Sequence, residues 1–188
     1  MQNLKTILRK KQKQFSKMSI VEKRIAIAKD VIARIKLNQF IPEQGVFCVV
    51  DGSSLRGFEG TTDKGEPISE VCDIVNSKQP CQVCAKGGLF MSYIGYVDNF
   101  KIEDLHYGTK ASVSLKSTEM KSLSKIFSQK QLSLIETTFE GSSYSWNLEL
   151  SDTEKEKCNN FEGEFYDDSN RLIGIMRNII RNKGTFKP

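Results

Sequence analysis

The chain has 188 residues, of which 38% are hydrophobic and 27% charged, and its formal net charge is +5. This size suits one globular domain and excludes a small disulfide-stapled scaffold, and the five cysteines are an odd number. The charge is uneven, because residues 1–36 carry 11 basic side chains and residues 171–188 carry five without an acid. Such basic ends either hold nucleic acid or face the acidic centre of the same fold.

Residues 1–18 form a basic segment in which Leu4, Ile7 and Leu8 follow helical spacing, so we expect a basic N-terminal arm or helix there. Residues 19–188 are then expected to form a single helical domain. The first residues lack the continuous apolar core and the cleavage site of a secretory signal, which predicts a cytoplasmic protein with reduced thiols.

The first firm helix is predicted from Ile20 to Leu37, because Ser19 and Glu22 have the spacing of a capping box. After it, the β-branched and aromatic run Val46–Val50 predicts a short strand that ends at an Asp-Gly turn. The glycine-rich stretch over residues 55–67 predicts an exposed loop that is a candidate carrier of function.

The sequence over residues 81–97, CQVCAKGGLFMSYIGYV, is apolar almost all round on a helical projection. We therefore expect a central helix inside a bundle, since the stretch is too short and too polar for a convincing membrane span. Gly88 and Gly95 fall on one side of it, which predicts a close crossing with another helix.

The remaining chain predicts four more helices, so the fold class is mainly α: a compact helical bundle around the central helix, with a minor β element near residues 46–50. These four helices are Glu119–Phe127, a segment capped by Ser128 that ends before Gly141, a polar helix from Ser151 or Asp152, and Asn170–Lys183 capped by Asp168 or Ser169 and stopped by Gly184.

The cysteines offer one conceivable metal site. Cys72, Cys81 and Cys84, with His106, are a weak alternative for a zinc set. Because Cys84 opens an apolar stretch, we favour buried packing residues and expect no metal. His106 is the only histidine, and neither a nucleophile setting nor a phosphate-binding glycine motif is present, so we expect neither an enzyme nor a cofactor.

The last helix carries the candidate partner-binding residues Arg171, Arg177, Asn178 and Arg181, which we assign to one polar face. Guanidinium groups one turn apart can bind a phosphate-bearing ligand or an acidic protein surface. The alternative is that these arginines pair with the acidic centre of the chain or stabilise the helix C-terminus.

Four stretches together resemble a family of small bacteriophage and prophage proteins. They are RIAIAKDVIARI from Arg24, CQVCAKGGLFMS from Cys81, LIETTFE from Leu134 and RLIGIMRNIIRNKGTFKP from Arg171. The resemblance implies a phage accessory protein in the cytoplasm of a bacterial host, and it transfers neither an activity nor catalytic residues.

The leading hypothesis is therefore a non-enzymatic binding protein, for example an inhibitor of a host-defence component or a sequesterer of its signal. Its partner is expected to be a host or phage protein or an anionic ligand, and not a membrane. The alternatives are a nucleic-acid-associated protein that uses the basic termini, and a structural or virion-associated component.

Overall fold

A computed structural model of the protein describes residues 4–50, 53–54, 80–97, 121, 123–141 and 150–188. Within these ranges the fold is mainly helical with a small sheet, which confirms the predicted fold class. The helices are α1 Leu4–Lys17, α2 Ile20–Lys36, α3 Ala85–Val97, α4 Gln129–Glu140, α5 Asp152–Glu162 and α6 Asp168–Arg181. The strands are β1 Phe40–Pro42, β2 Cys48–Val50, β3 Ser53–Ser54 and β4 Cys81–Val83.

Local capping defines where several helices begin. The Ser19 backbone N–H donates to Glu22 Oε2 at 2.7 Å, and the Glu22 N–H donates back to Ser19 Oγ at 3.3 Å, which confirms the predicted capping box. Ser151 and Glu154 repeat this box at the start of α5. The cap predicted for α6, Asp168 or Ser169, is wrong by one or two residues. The side chain that accepts a backbone N–H of the first turn, that of Asn170, belongs to Asp167.

The central helix is shorter than predicted, because its first residues form a strand. Cys81–Val83 pairs in parallel with β1 and antiparallel with β2, so β4 lies inside a sheet of order β1-β4-β2-β3. Cys81 and Val83 are buried and Gln82 is half-buried, an alternation that suits a strand. Helix α3 therefore begins only at Ala85, and the strand predicted at 46–50 covers Cys48–Val50.

Helix α3 supplies much of the core, with Leu89, Phe90, Met91 and Ile94 fully buried. A close crossing with another helix was predicted at Gly88 and Gly95; at Gly88 the neighbouring elements are in ordinary van der Waals contact, with room for a small side chain. A Cβ atom there would lie 3.6 Å from Val83, 3.7 Å from Val31 and 3.8 Å from Leu172, so side chains of β4, α2 and α6 all approach the helix at this point.

Helix α1 joins this core at its C-terminal half. The Phe15 side chain is only 2% exposed, and its ring stacks on Tyr96 of α3 with centroids 4.5 Å apart. The basic N-terminal segment is thus a helix that is anchored on α3, and not a detached arm. Among the described residues, no helix combines the length and the apolarity needed to cross a bilayer.

Some predictions lie outside the described residues. These are the loop at 55–67, the first residues of the helix predicted at Glu119–Phe127, and the positions of Cys72 and His106. Of that helix, Lys121, Leu123 and Ser124 are helical, and a turn at residues 125–126 leads to Ser128, which caps α4 as predicted.

Candidate binding sites

Arg171 does not belong to an exposed binding face, which corrects the prediction for this residue. Its side chain is buried, its Nη1 donates to the Phe139 carbonyl oxygen at 2.9 Å, and the same atom lies 3.3 Å from Asp168 Oδ1. A second guanidinium nitrogen, Nη2, lies 3.7 Å from Glu162 Oε1. Arg171 therefore ties α6 to the end of α4, as the structural alternative anticipated.

Asn178 is also wrongly assigned to the binding face, because it is 4% exposed and holds the C-terminal tail. Its side-chain amide donates to the Lys187 carbonyl oxygen at 2.7 Å, and its Oδ1 accepts the Lys187 N–H at 2.9 Å. This two-point contact resembles the pairing of two strands and satisfies both backbone hydrogen-bonding groups of Lys187. The Asn178 amide is therefore engaged within the fold.

Arg177 and Arg181 are both exposed and lie one helical turn apart. We call them the arginine pair. Within the part of the chain that the structure describes, neither forms an ion pair or a hydrogen bond. The helix C-terminus favours a cation in its last turn, where Arg181 lies, but Arg177 is one turn further back. Within the described residues, packing and the helix dipole thus assign no structural contact to Arg177.

The cysteines near α3 are packing residues in a thiol form. Cys48, Cys81 and Cys84 are buried, and burial raises the pKa of Cys84 to about 12 with a further contribution from the carboxylate of Glu140. A thiolate is the species that reacts or binds metal, and burial disfavours it here. Over the described ranges, no three His, Cys, Asp or Glu side chains are arranged to hold a metal ion.

A charged cluster lies beside Cys84, under the turn that joins β1 and β2. Lys86 is 3% exposed and forms an ion pair with Glu136, while Glu140 Oε2 accepts the Gly45 N–H at 2.7 Å. Burial raises the pKa of Glu140 to about 7, helped by the nearby carboxylates of Glu136 and Asp168. The cavity among these groups holds only about 10 Å³, so the cluster fixes the turn and has no room for a substrate.

A larger cavity of about 530 Å³ opens where α1, α2 and α3 meet. We call it the basic–aromatic pocket, and its described wall consists of Gln12, Lys13, Phe15, Ser16, Lys23, Tyr93, Tyr96 and Ile126. Ligand pockets typically measure about 300–1,000 Å³, so its size suits a small organic molecule. The wall contains lysines and aromatic rings, and no acidic side chain is among these residues.

The aromatic rings of the pocket are ordered by packing. Tyr96 stacks on Phe15, has Lys11 Nζ 4.3 Å from its centroid, and its hydroxyl donates to the Ala26 carbonyl oxygen at 3.4 Å. Burial raises the pKa of Tyr96 to about 12 and also raises that of Tyr93, so both phenols stay neutral at physiological pH. Rings and cations therefore share one wall, and the nearest described carboxylate, Asp30, is paired with Lys11 at 3.4 Å behind the Tyr96 ring.

The pocket was not predicted from the sequence, although parts of its signal were present. Lys13 and Phe15 lie in the basic N-terminal segment, and Tyr93 is one of the few residues with a polar group in the central helix. Nothing in the sequence indicated that these two helices meet, because their contact joins residues about 80 positions apart. No protein-family model, curated protein or solved structure matches the chain.

Proposed function

We propose that this protein is a non-enzymatic binding protein that attaches to an acidic surface of another protein through the arginine pair, Arg177 and Arg181. In keeping with the sequence resemblance, we place it in the cytoplasm of a phage-infected bacterium, where the partner is a host-defence component or a phage protein. The observation that carries the proposal is the arginine pair itself, exposed and without a carboxylate partner in the described residues.

The position of the pair on a well-anchored helix supports binding. The opposite side of α6 is fixed in the core by Leu172, Ile175, Met176 and Ile179, all of which are fully buried. The two guanidinium groups therefore project from a backbone element that is already ordered, so binding costs the rotamer freedom of the arginines but no ordering of the helix. Arginine also forms bidentate hydrogen bonds with carboxylates, so two arginines one turn apart select a partner with closely spaced acids.

The test compares three versions of the tagged full-length chain in infected bacterial cells. The wild type, Arg177→Gln with Arg181→Gln, and the control Lys29→Gln with Lys36→Gln are each captured under identical salt. Lys29 and Lys36 are exposed on α2, so the control removes the same charge from another helix. A recovered partner is then purified, and its dissociation constant is measured for all three proteins.

We expect the wild type and the lysine control to bind the same protein, and the arginine variant to bind it about tenfold or more weakly. Affinity should also fall as salt is raised, because the contacts are charged. A partner that binds all three proteins equally would refute the role of the arginine pair. Recovery of nucleic acid alone, lost after nuclease treatment, would favour the nucleic-acid-associated alternative instead.

A further inference from the structure

We propose that the basic–aromatic pocket is a binding site for a nucleoside monophosphate, a function separate from that of the arginine pair. The pocket combines the two features that such a ligand needs. Cationic side chains can hold a phosphate, and an aromatic side chain can stack on a planar base. The pocket also has the volume for a ligand of this kind, about 530 Å³.

The phosphate end of the site is formed by Lys13 and Lys23. Lys13 is exposed and forms no ion pair within the described residues, and Lys23 is half-buried with its ammonium 5.7 Å from the Phe15 ring centroid. An aromatic ring holds an ammonium group in place without neutralising its charge. The Ser16 hydroxyl donates its proton to the Lys13 carbonyl oxygen at 2.9 Å, so the contact with the anion is left to the two lysines.

The base end of the site is formed by Tyr93. Tyr96 is already engaged by Phe15 and Lys11, whereas the ring contact of Tyr93 among the described residues is a tilted one with Phe15, with centroids 6.3 Å apart. The half-buried Tyr93 ring therefore remains for an incoming base. Stacking on one tyrosine tolerates any base, so we expect weak discrimination among purines and pyrimidines.

The alternative is a structural role, in which the lysines only give the helix junction a charged surface toward water. That role does not account for two cations that line an open cavity whose described wall contains no acid. A purely inorganic anion would not use the Tyr93 ring, and an apolar ligand would not use the lysines. The combination selects a ligand that is anionic at one end and planar at the other.

Equilibrium dialysis of the full chain against AMP, GMP, CMP and UMP tests the proposal, with adenosine and inorganic phosphate as the two half-ligands. We expect the nucleotides to bind, and each half-ligand to bind about tenfold or more weakly than AMP. Lys13→Gln with Lys23→Gln should weaken AMP binding by about tenfold or more, and Tyr93→Leu should weaken it while leaving phosphate binding unchanged.

Two controls separate this site from the proposed function. Lys29→Gln with Lys36→Gln removes an equal charge from α2, and Arg177→Gln with Arg181→Gln removes the arginine pair; both should retain wild-type affinity for AMP. Because Lys13 and Lys23 are not core residues, their variant should fold even if Tyr93→Leu does not. Absent nucleotide binding at millimolar concentration, equal binding of AMP and either half-ligand, or equal binding by the pocket lysine variant, would each overturn the site.

Discussion

Alanine at Gly87 is expected to destabilise the fold, whereas alanine at the adjacent Gly88 is expected to leave it unchanged or more stable. Both glycines are buried in the first turn of α3, so helix propensity alone predicts the same gain of about 1 kcal/mol at each position. Their surroundings differ. A Cβ at Gly87 would lie 1.6 Å from the Phe47 carbonyl oxygen, whereas one at Gly88 would meet only side chains, at 3.6 Å or more.

The clash at Gly87 sets the size of the effect. The separation must open from 1.6 Å to at least 3.0 Å, and the atom in the way is part of the backbone. Overpacking a core costs about 1–3 kcal/mol and sometimes more, and a rigid obstacle places Gly87→Ala at the upper end. Subtracting the gain in helix propensity leaves a loss of about 2 kcal/mol or more in the free energy of unfolding.

Urea denaturation followed by circular dichroism, together with thermal melting, measures both variants. A loss of about 2 kcal/mol lowers the melting temperature by about 4–8 °C for a chain of this size, and a gain of about 1 kcal/mol at Gly88 raises it by about 2–4 °C. Gly88→Leu serves as the size control, because its extra carbons exceed the space and should cost about 1–3 kcal/mol. Equal stability of Gly87→Ala and wild type would refute the contact between α3 and the Phe47 backbone.

Three further experiments test other parts of the fold. Arg171→Gln should lower the free energy of unfolding by about 3 kcal/mol because it removes a buried charge partner. Arg177→Gln with Arg181→Gln should change it by no more than about 1 kcal/mol from the wild-type value. Urea titrations of both variants measure the difference. Phe15→Ala should cost about 3–5 kcal/mol if α1 belongs to the core, and an unchanged melting temperature would show that it does not. Burial raises the pKa of Glu140 from 4.5 to about 7, so between these values the folded chain holds a proton that the unfolded chain releases. The free energy of unfolding should therefore fall as the pH rises from about 5 to 7. Urea titrations across this range should show a shallower fall for Glu140→Gln, and an identical slope would contradict the burial of this carboxyl.

The helices were largely predictable from the sequence, because their signals are local. Ser19, Ser128 and Ser151 each cap a helix where the sequence placed one, since a cap depends on residues within one turn. The start of α3 was not predictable in the same way. Cys81–Val83 is apolar enough for either a helix or a buried strand, and only its pairing with β1 and β2, about 30–40 residues earlier, decides for the strand.

In the candidate sites, too, local features were predictable from the sequence and long-range contacts were not. Helical spacing correctly grouped Arg177 and Arg181, but it also included Arg171 and Asn178, which the projection places near the edge of the polar face. Their burial depends on distant elements: the Phe139 carbonyl at the end of α4 for one, and the C-terminal tail at Lys187 for the other. Periodicity within one helix carries no information about which carbonyl groups other elements leave unsatisfied.

Lys23 and Arg24 show that two neighbouring basic residues on one helix can have different roles, depending on what each side chain contacts. They are neighbours on α2, yet Lys23 lines the basic–aromatic pocket, while Arg24 Nε donates to the Ile126 carbonyl oxygen at 2.6 Å and its Nη1 lies 3.5 Å from the Gly184 carbonyl oxygen. A planar guanidinium presents several fixed donors and can serve two carbonyls at once, whereas an ammonium is a compact point charge. Because Ile126 lines the pocket and Gly184 follows α6, Arg24 supports both proposed sites, and its removal would disturb both. Variants that keep Arg24 and change only Lys23 or the arginine pair are therefore the ones that can separate ligand binding from partner binding.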